Sequence, residues 1–218
     1  MIPRPATAEP GGPPPWAPRR RITLELVLDA LGRAGRRFPA GAQSVAAQGT
    51  EAHSAVLVAL FEEDGETRVV LTRRSVRLRT HGGQVSFPGG RIDPGEDALH
   101  AAVREAHEEI GLLPVLVRPV GYLTQAFAFS SGAPITPVVA TLAHRPVLVP
   151  SPAEVERVFD ASLADLSCAF NEEWWSEPGL PRFPMYFFDV EGETIWGATA
   201  RMLVDLLTTV LVDRVPHG

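Results

Sequence analysis

Three glutamates, Glu105, Glu108 and Glu109, follow Arg104 at i, i+3 and i+4 in a stretch without glycine or proline from Glu96 to Ile110. At about 100° per residue, a helix places them within about 100° of one another. They lie roughly 120° from the centre of an apolar stripe of Leu99, Ala102, Val103, Ala106 and Ile110. Such a face repels itself, by about 0.2–0.5 kcal/mol per like-charge pair. A hard divalent cation, Mg²⁺ or Mn²⁺, reverses that sign, because it prefers oxygen ligands and is commonly shared between carboxylates and substrate phosphates. Taken alone, the three residues also read as a solvated acidic face.

A second group lies just upstream. Residues 73–81, RRSVRLRTH, gather four arginines and a histidine in a chain whose net charge is −6. The planar fork of arginine suits two-point recognition of phosphate, although a solvated basic loop has the same composition. Gly89 and Gly90, between the two groups, permit close approach of backbone to an anion or a metal. His81 is a candidate phosphate donor or proton carrier, or else a hydrogen-bonded loop histidine. His100 and His107 fall off the carboxylate face, and no clustered His/Cys spacing suggests zinc.

From Gly90 to Leu112 the residues read G-x5-E-x7-R-E-U-x-E-E-x-G-U, where U is apolar: Gly90, Glu96, Arg104, Glu105, Ala106, Glu108, Glu109, Gly111 and Leu112. This resembles the Nudix box. The resemblance implies a hydrolase of a diphosphate linked to another moiety. Glu105, Glu108 and Glu109 would be the metal ligands, the Gly89 carbonyl a further one, and Glu96 and Arg104 a mutually bound structural support. It also implies the Nudix fold, an α/β architecture with a curved mixed β-sheet sandwiched between α-helices.

Upstream, Leu71, Thr72, Arg74, Ser75, Arg79, Gly83, Phe87, Pro88, Gly89 and Gly90 stand in register with L-L-T-x-R-S/A-x3-R-x3-G-x3-F-P-G-G, with Val70 in place of the first leucine. This is similar to the additional signature of the coenzyme A pyrophosphatase branch. Residues 195–203, IWGATARML, also resemble that branch near its C-terminus. The two signatures span about a fifth of the chain. They imply hydrolysis of coenzyme A to 3′,5′-ADP and 4′-phosphopantetheine, with Arg74 and Arg79 on the nucleotide phosphates and Arg73, His81 and Gly83 as further substrate-binding candidates. Other substrates with the same chemistry stay open, including ADP-ribose, NADH or another dinucleotide, and nucleoside triphosphates. So does a catalytically silent nucleotide sensor, although such a domain is expected to lose metal-ligand glutamates, and all three are present here.

The attacking water needs a general base, for which Glu109 and Glu154 are the candidates. Glu154 has a second reading as a helix-start acid, because SPAEVERVFDASLADL (151–166) opens with Ser-Pro and is expected to be helical. The tryptophans of NEEWW (171–175) are candidates for stacking on adenine or covering a pantetheine arm, and equally for packing at a core edge.

The remaining elements position these groups. Pro94-Gly95 and acids Glu96 and Asp97 mark the start of the carboxylate helix, and Gly111 marks its stop. Residues 54–61 and 68–72 read as a hairpin across EEDGE, and 115–129 and 135–143 as a second pair of strands across SSGAP. Helices are expected over 22–35 and 198–212, with short strands at 184–190 and 194–197.

At 218 residues and 45% hydrophobic composition, the chain has room for one soluble domain with a substantial core. We place that domain at 19–218, preceded by a flexible proline-rich tail at 1–18 that has no apolar signal region. No apolar run is long enough for a membrane helix, and the acidic balance argues against a nucleic-acid surface. The partner is a small-molecule substrate, with a homodimer suggested by resemblance. A single cysteine, Cys168, excludes an internal disulfide framework, fits a cytoplasmic setting and reads as a small buried hydrophobe.

Overall fold

The computed structural model describes residues 2–38, 54–129, 131–176, 179 and 181–212. Strands β2 (Ser54–Glu63) and β3 (Glu66–Arg74) form the expected hairpin. Asp64 and Gly65 at its tip both have positive φ, 52° and 73°, the backbone that a tight hairpin of right-handed twist requires.

β2 is the axis of a mixed eight-stranded sheet. It runs antiparallel to β3 and to β5 (Gly89–Arg91), and parallel to β8 (Pro134–Thr141). Both faces of β2 are covered, which is why its sequence is a continuous apolar run and not an alternating one. Ala55, Leu57, Ala59 and Phe61 face α2 (Ala98–Ile110), whereas Val56, Val58 and Leu60 face the core closed by α1 (Leu24–Arg33) and α4 (Gly197–Leu211). The sheet also includes β4 (Val85–Ser86) on β3, and β6 (Arg118–Tyr122) and β7 (Ala126–Phe127) on β8, and its eighth strand also pairs with β3.

Helix α2 starts where the Asp97 side chain accepts the His100 N–H at 2.9 Å, and it ends at Gly111, whose φ of 67° closes the last turn. Glu96, just before the cap, bonds to Arg104, the pairing that the resemblance implied. The buried stripe of α2 is rich in alanine (Ala98, Ala101, Ala102, Ala106), so the helix lies close on β2.

Three expectations are corrected. Residues 151–166 are not one helix: a turn at 152–154 leads into strand β9 (Val155–Ser162), and only then comes the short α3 (Leu163–Cys168). β9 pairs with β3 from Arg68↔Ser162 to Arg74↔Val155. A long open edge of β3 thus decides against the local Ser-Pro signal. Cys168 is exposed, because it sits on the outer side of the last turn of α3.

The third correction concerns the proline-rich N-terminal segment, which packs on the body. Its strand β1 (Glu9–Pro10) adds to a second, antiparallel sheet of β10 (Phe170–Trp175), β11 (Phe183–Val190) and β12 (Glu193–Trp196). Trp16 is buried, and its indole N–H donates to Ser167 O at 3.1 Å. Among the described residues, no helix is long and apolar enough to cross a membrane.

Candidate functional site

The site forms where β5 is pressed against α2. Leu57 N–H donates to Pro88 O at 2.8 Å, which holds the Phe87-Pro88 turn on β2 and presents Gly89 and Gly90 to the helix. A Cβ at Gly89 would lie 2.6 Å from Val56 Cα, and one at Gly90 would collide with the Glu105 carboxylate. Glycine is required at Gly89, where the contact is with backbone, whereas a Cβ at Gly90 would displace the Glu105 carboxylate.

Glu109 is the centre of the arrangement. It is 2% exposed, accepts the Gly89 N–H at 3.0 Å on one carboxylate oxygen and accepts Arg74 Nη1 at 3.2 Å on the other. Burial pushes its pKa up to about 7, helped by Glu105 and Glu154 and opposed by the Gly89 N–H and Arg74. Glu105 is raised as well, chiefly by burial and further by the charges of Glu108 and Glu154, against the pull of Arg104. Glu108 is largely exposed.

Arg104 braces this face. It meets Glu96 through two bonds, Nε to Oε1 at 3.0 Å and Nη2 to Oε2 at 2.9 Å, and it donates to Arg91 O at 2.9 Å. Its Nη1 lies between Glu105, at 2.9 Å, and Glu108, at 3.2 Å. Hydrogen bonds from Arg104 hold Glu96 below the usual carboxylate range. Among the described residues, no three His, Cys, Asp or Glu side chains converge closely enough to hold a metal ion. The donor chemistry nonetheless suits a hard divalent cation. Glu105, Glu108 and Glu109 share a helical face and offer only oxygens, and a cation would relieve the repulsion between the buried Glu109 and the half-buried Glu105.

Gly89, Gly90 and Arg74 also line a cleft of about 760 Å³. Its opposite wall includes Gly197, Ala198 and Thr199, the first turn of α4. That helix has no side-chain cap, so the positive end of its dipole and its first N–H groups lie at the cleft. Thr199 Oγ1 donates to Val85 O at 3.2 Å and ties the two walls together.

The arginine loop divides. Arg74 enters the site, whereas the neighbouring Arg73 leaves on the opposite face of β3 toward Glu193 and Glu156 and does not line the cleft. His81 lines it, with Nδ1 3.1 Å from Gln84 Oε1. Arg79 is exposed on the loop outside the lining. Gly83, at φ 74°, donates to Arg74 O at 3.0 Å and closes the loop on itself.

Glu154 comes to the site by a backbone bond, Ser75 N–H to Glu154 O at 2.8 Å; its side chain is exposed and its charge acts on both Glu105 and Glu109. Its helix-start reading falls with the helix. Trp174 and Trp175 belong to the second sheet and do not line the cleft. Trp196, Phe129 and Pro3 do, and sequence reasoning missed all three. The only available signal was the WG of the C-terminal resemblance.

An α/β fold here presses a three-carboxylate helix on a glycine-bearing strand, beside a cleft entered by an arginine. Comparison with known proteins gives its family: residues 51–183 match the NUDIX domain, and the chain belongs to that family. It is 42% identical over 172 residues to the chloroplastic Nudix hydrolase 22 of Arabidopsis thaliana, covering 75% of this chain and 56% of that protein. It is 38% identical over 187 residues to Nudix hydrolase 3 of Caenorhabditis elegans, covering 77% and 78%. Over 105 residues it is 41% identical to the mouse peroxisomal coenzyme A diphosphatase NUDT7, covering 48% and 44%. The chain thus spans little more than half the length of the Arabidopsis relative.

Proposed function

We propose that this protein is a metal-dependent diphosphatase that hydrolyses coenzyme A to 3′,5′-ADP and 4′-phosphopantetheine. The observation that carries the hydrolase reading is the convergence on Glu109 of the arginine-loop residue Arg74 and the Gly89 N–H, at the edge of one cleft. The choice of coenzyme A rests on the signature from Leu71 to Gly90 and on the partial similarity to the mouse coenzyme A diphosphatase.

Nudix hydrolases generally need a divalent metal ion. Glu105, Glu108, Glu109 and the Gly89 carbonyl would hold Mg²⁺ or Mn²⁺, which neutralises diphosphate oxygens and lowers the pKa of water. Arg74 orients the diphosphate by its planar fork, and Arg79, exposed on the loop, is the second candidate for the nucleotide phosphates. Water oxygen attacks one phosphorus, the bond from that phosphorus to the bridging oxygen breaks, and Glu154 accepts the water proton. Glu154 is suited to this because it is exposed and its charge reaches Glu105 and Glu109, while Glu109 is bonded on both oxygens.

The test is mass-spectrometric product analysis with coenzyme A, ADP-ribose, NADH and nucleoside triphosphates, each with Mg²⁺, Mn²⁺ or chelator. The expected result is metal-dependent release of 4′-phosphopantetheine, faster than cleavage of the other compounds. Faster cleavage of another compound keeps the chemistry and overturns the specificity. Nucleotide binding without any cleavage overturns both in favour of a sensor.

A further inference from the structure

The N-terminal segment is a strap that ends at the catalytic cleft. Trp16 pins one end, buried with its ring edge-on to Phe170 at a centroid distance of 5.3 Å. In the middle, β1 pairs Glu9 with Trp174 and Pro10 with Glu173, and Gly11 N–H donates to Glu172 O at 2.7 Å. Beyond it, Thr7 donates to Ser176 O at 3.3 Å. Arg4 lies 4.8 Å over the Phe187 ring, with Nε 3.1 Å from Glu173 Oε1. Ile2 and Ala8 pack on Trp175, Met185 and Phe187. These contacts carry Pro3 to the cleft, where it is part of the lining.

Pro3 does not stand there alone. Phe129, 45% exposed, and Trp196 line the same cleft, and both border the cluster on which Ile2 packs. Phe129 meets the Trp175 ring edge-on at 6.1 Å and the Phe183 ring at 5.8 Å. One cleft therefore has two kinds of wall: Arg74, Gly89 and Gly90 beside the carboxylate helix, and Pro3, Phe129 and Trp196 beside the second sheet. The first carries the charged Arg74; the second offers apolar surface and no charge.

We propose that the strap completes a subsite for the neutral, partly apolar arm that a diphosphate substrate carries on the side away from its nucleotide, and that Pro3 with Phe129 and Trp196 selects for that arm. The inference rests on the diphosphatase reading for its substrate class. It explains why a proline-rich segment with no core of its own is held at three points: a wall at the cleft must be fixed to discriminate.

A chain lacking residues 2–6 keeps the β1 pairing and the Trp16 anchor, so the body remains intact by melting temperature. Its KM for coenzyme A is expected to rise about tenfold, the loss of a modest apolar contact, with a smaller change in kcat. The KM for ADP-ribose, whose corresponding arm is a polar sugar, should change less than about twofold. Phe129→Ala, which leaves the strap in place, should shift the same ratio in the same direction. Equal KM values for the two chains, or equal increases for both substrates, overturn the subsite. If neither chain cleaves anything, the diphosphatase reading fails. The subsite is then decided by calorimetry with coenzyme A and 3′,5′-ADP in Ca²⁺. Selective weakening of coenzyme A in the shortened chain supports it; unchanged affinity, or no binding to either chain, overturns it.

Discussion

Arg73 and Arg74 are neighbours on β3, and because side chains alternate along a strand they serve two different buried glutamates. Arg73 Nη1 reaches Glu193 Oε1 at 3.3 Å, where Arg157 Nη1 also arrives at 3.2 Å, and Arg73 Nε lies 3.6 Å from Glu156. Two arginines there face two glutamates. Arg74 meets Glu109 alone, with Glu105 and Glu154 close enough to push the Glu109 pKa further up. The first cluster is balanced and braces β3, β9 and β12. The second carries excess negative charge beside a cleft, which is the electrostatic condition of a site that takes a cation.

The sharpest way to break that contrast is to neutralise each glutamate. Glu109→Gln should lower metal-dependent turnover about a thousandfold or more, by analogy with removing a group that holds transition-state charge. It should leave the melting temperature unchanged or higher, since a strained buried charge is gone. Turnover within tenfold of the parent would remove Glu109 from the catalytic set.

The pH dependence of the metal-free protein should differ next. The folded pKa of Glu109, about 7, lies above the ordinary glutamate value of 4.5, so the folded state holds the extra proton between those values. Stability from this group is full at low pH and falls as pH rises through that window, by at most roughly 3.5 kcal/mol at about 1.4 kcal/mol per unit. Thermal melts in chelator from pH 5 to 8 should show the decline. Mg²⁺ or Glu109→Gln should flatten it, while Glu193→Gln should retain it. A flat profile in the parent protein would refute the uncompensated charge.

The smallest effect is on the balanced side. Glu193→Gln strips one carboxylate from two arginines, each more than a third exposed, so the loss should be about 1–2 kcal/mol, below that of a fully buried pair. Melting should drop about 3–6 °C, with kcat per folded molecule unchanged. A matching loss of kcat would join the two clusters into one functional unit.

Much of the site could be read along the chain because its parts are local. The period of α2, its capping Asp97 and stop at Gly111, and the Asp64-Gly65 turn are each encoded within a few residues. The carboxylate face follows from the same period. Where the reading failed, the deciding partner was remote. The Ser-Pro start at 151 lost to the open edge of β3, more than 75 residues earlier in the chain. The proline-rich segment looked unstructured because it carries almost no core of its own. Its anchors, Ser167, Trp174 and Phe187, lie more than 150 residues away.

The sequence by itself determined the chemistry on offer: an oxygen-only face on one helix, glycines beside it, and an arginine loop upstream. Only the tertiary structure decided which of those arginines enters the site, which glutamate is buried, and what walls the cleft. The physical reason is that helical period and turn conformation are properties of neighbouring residues. Burial, charge compensation and the far wall of a cleft depend on which distant surfaces the fold brings together.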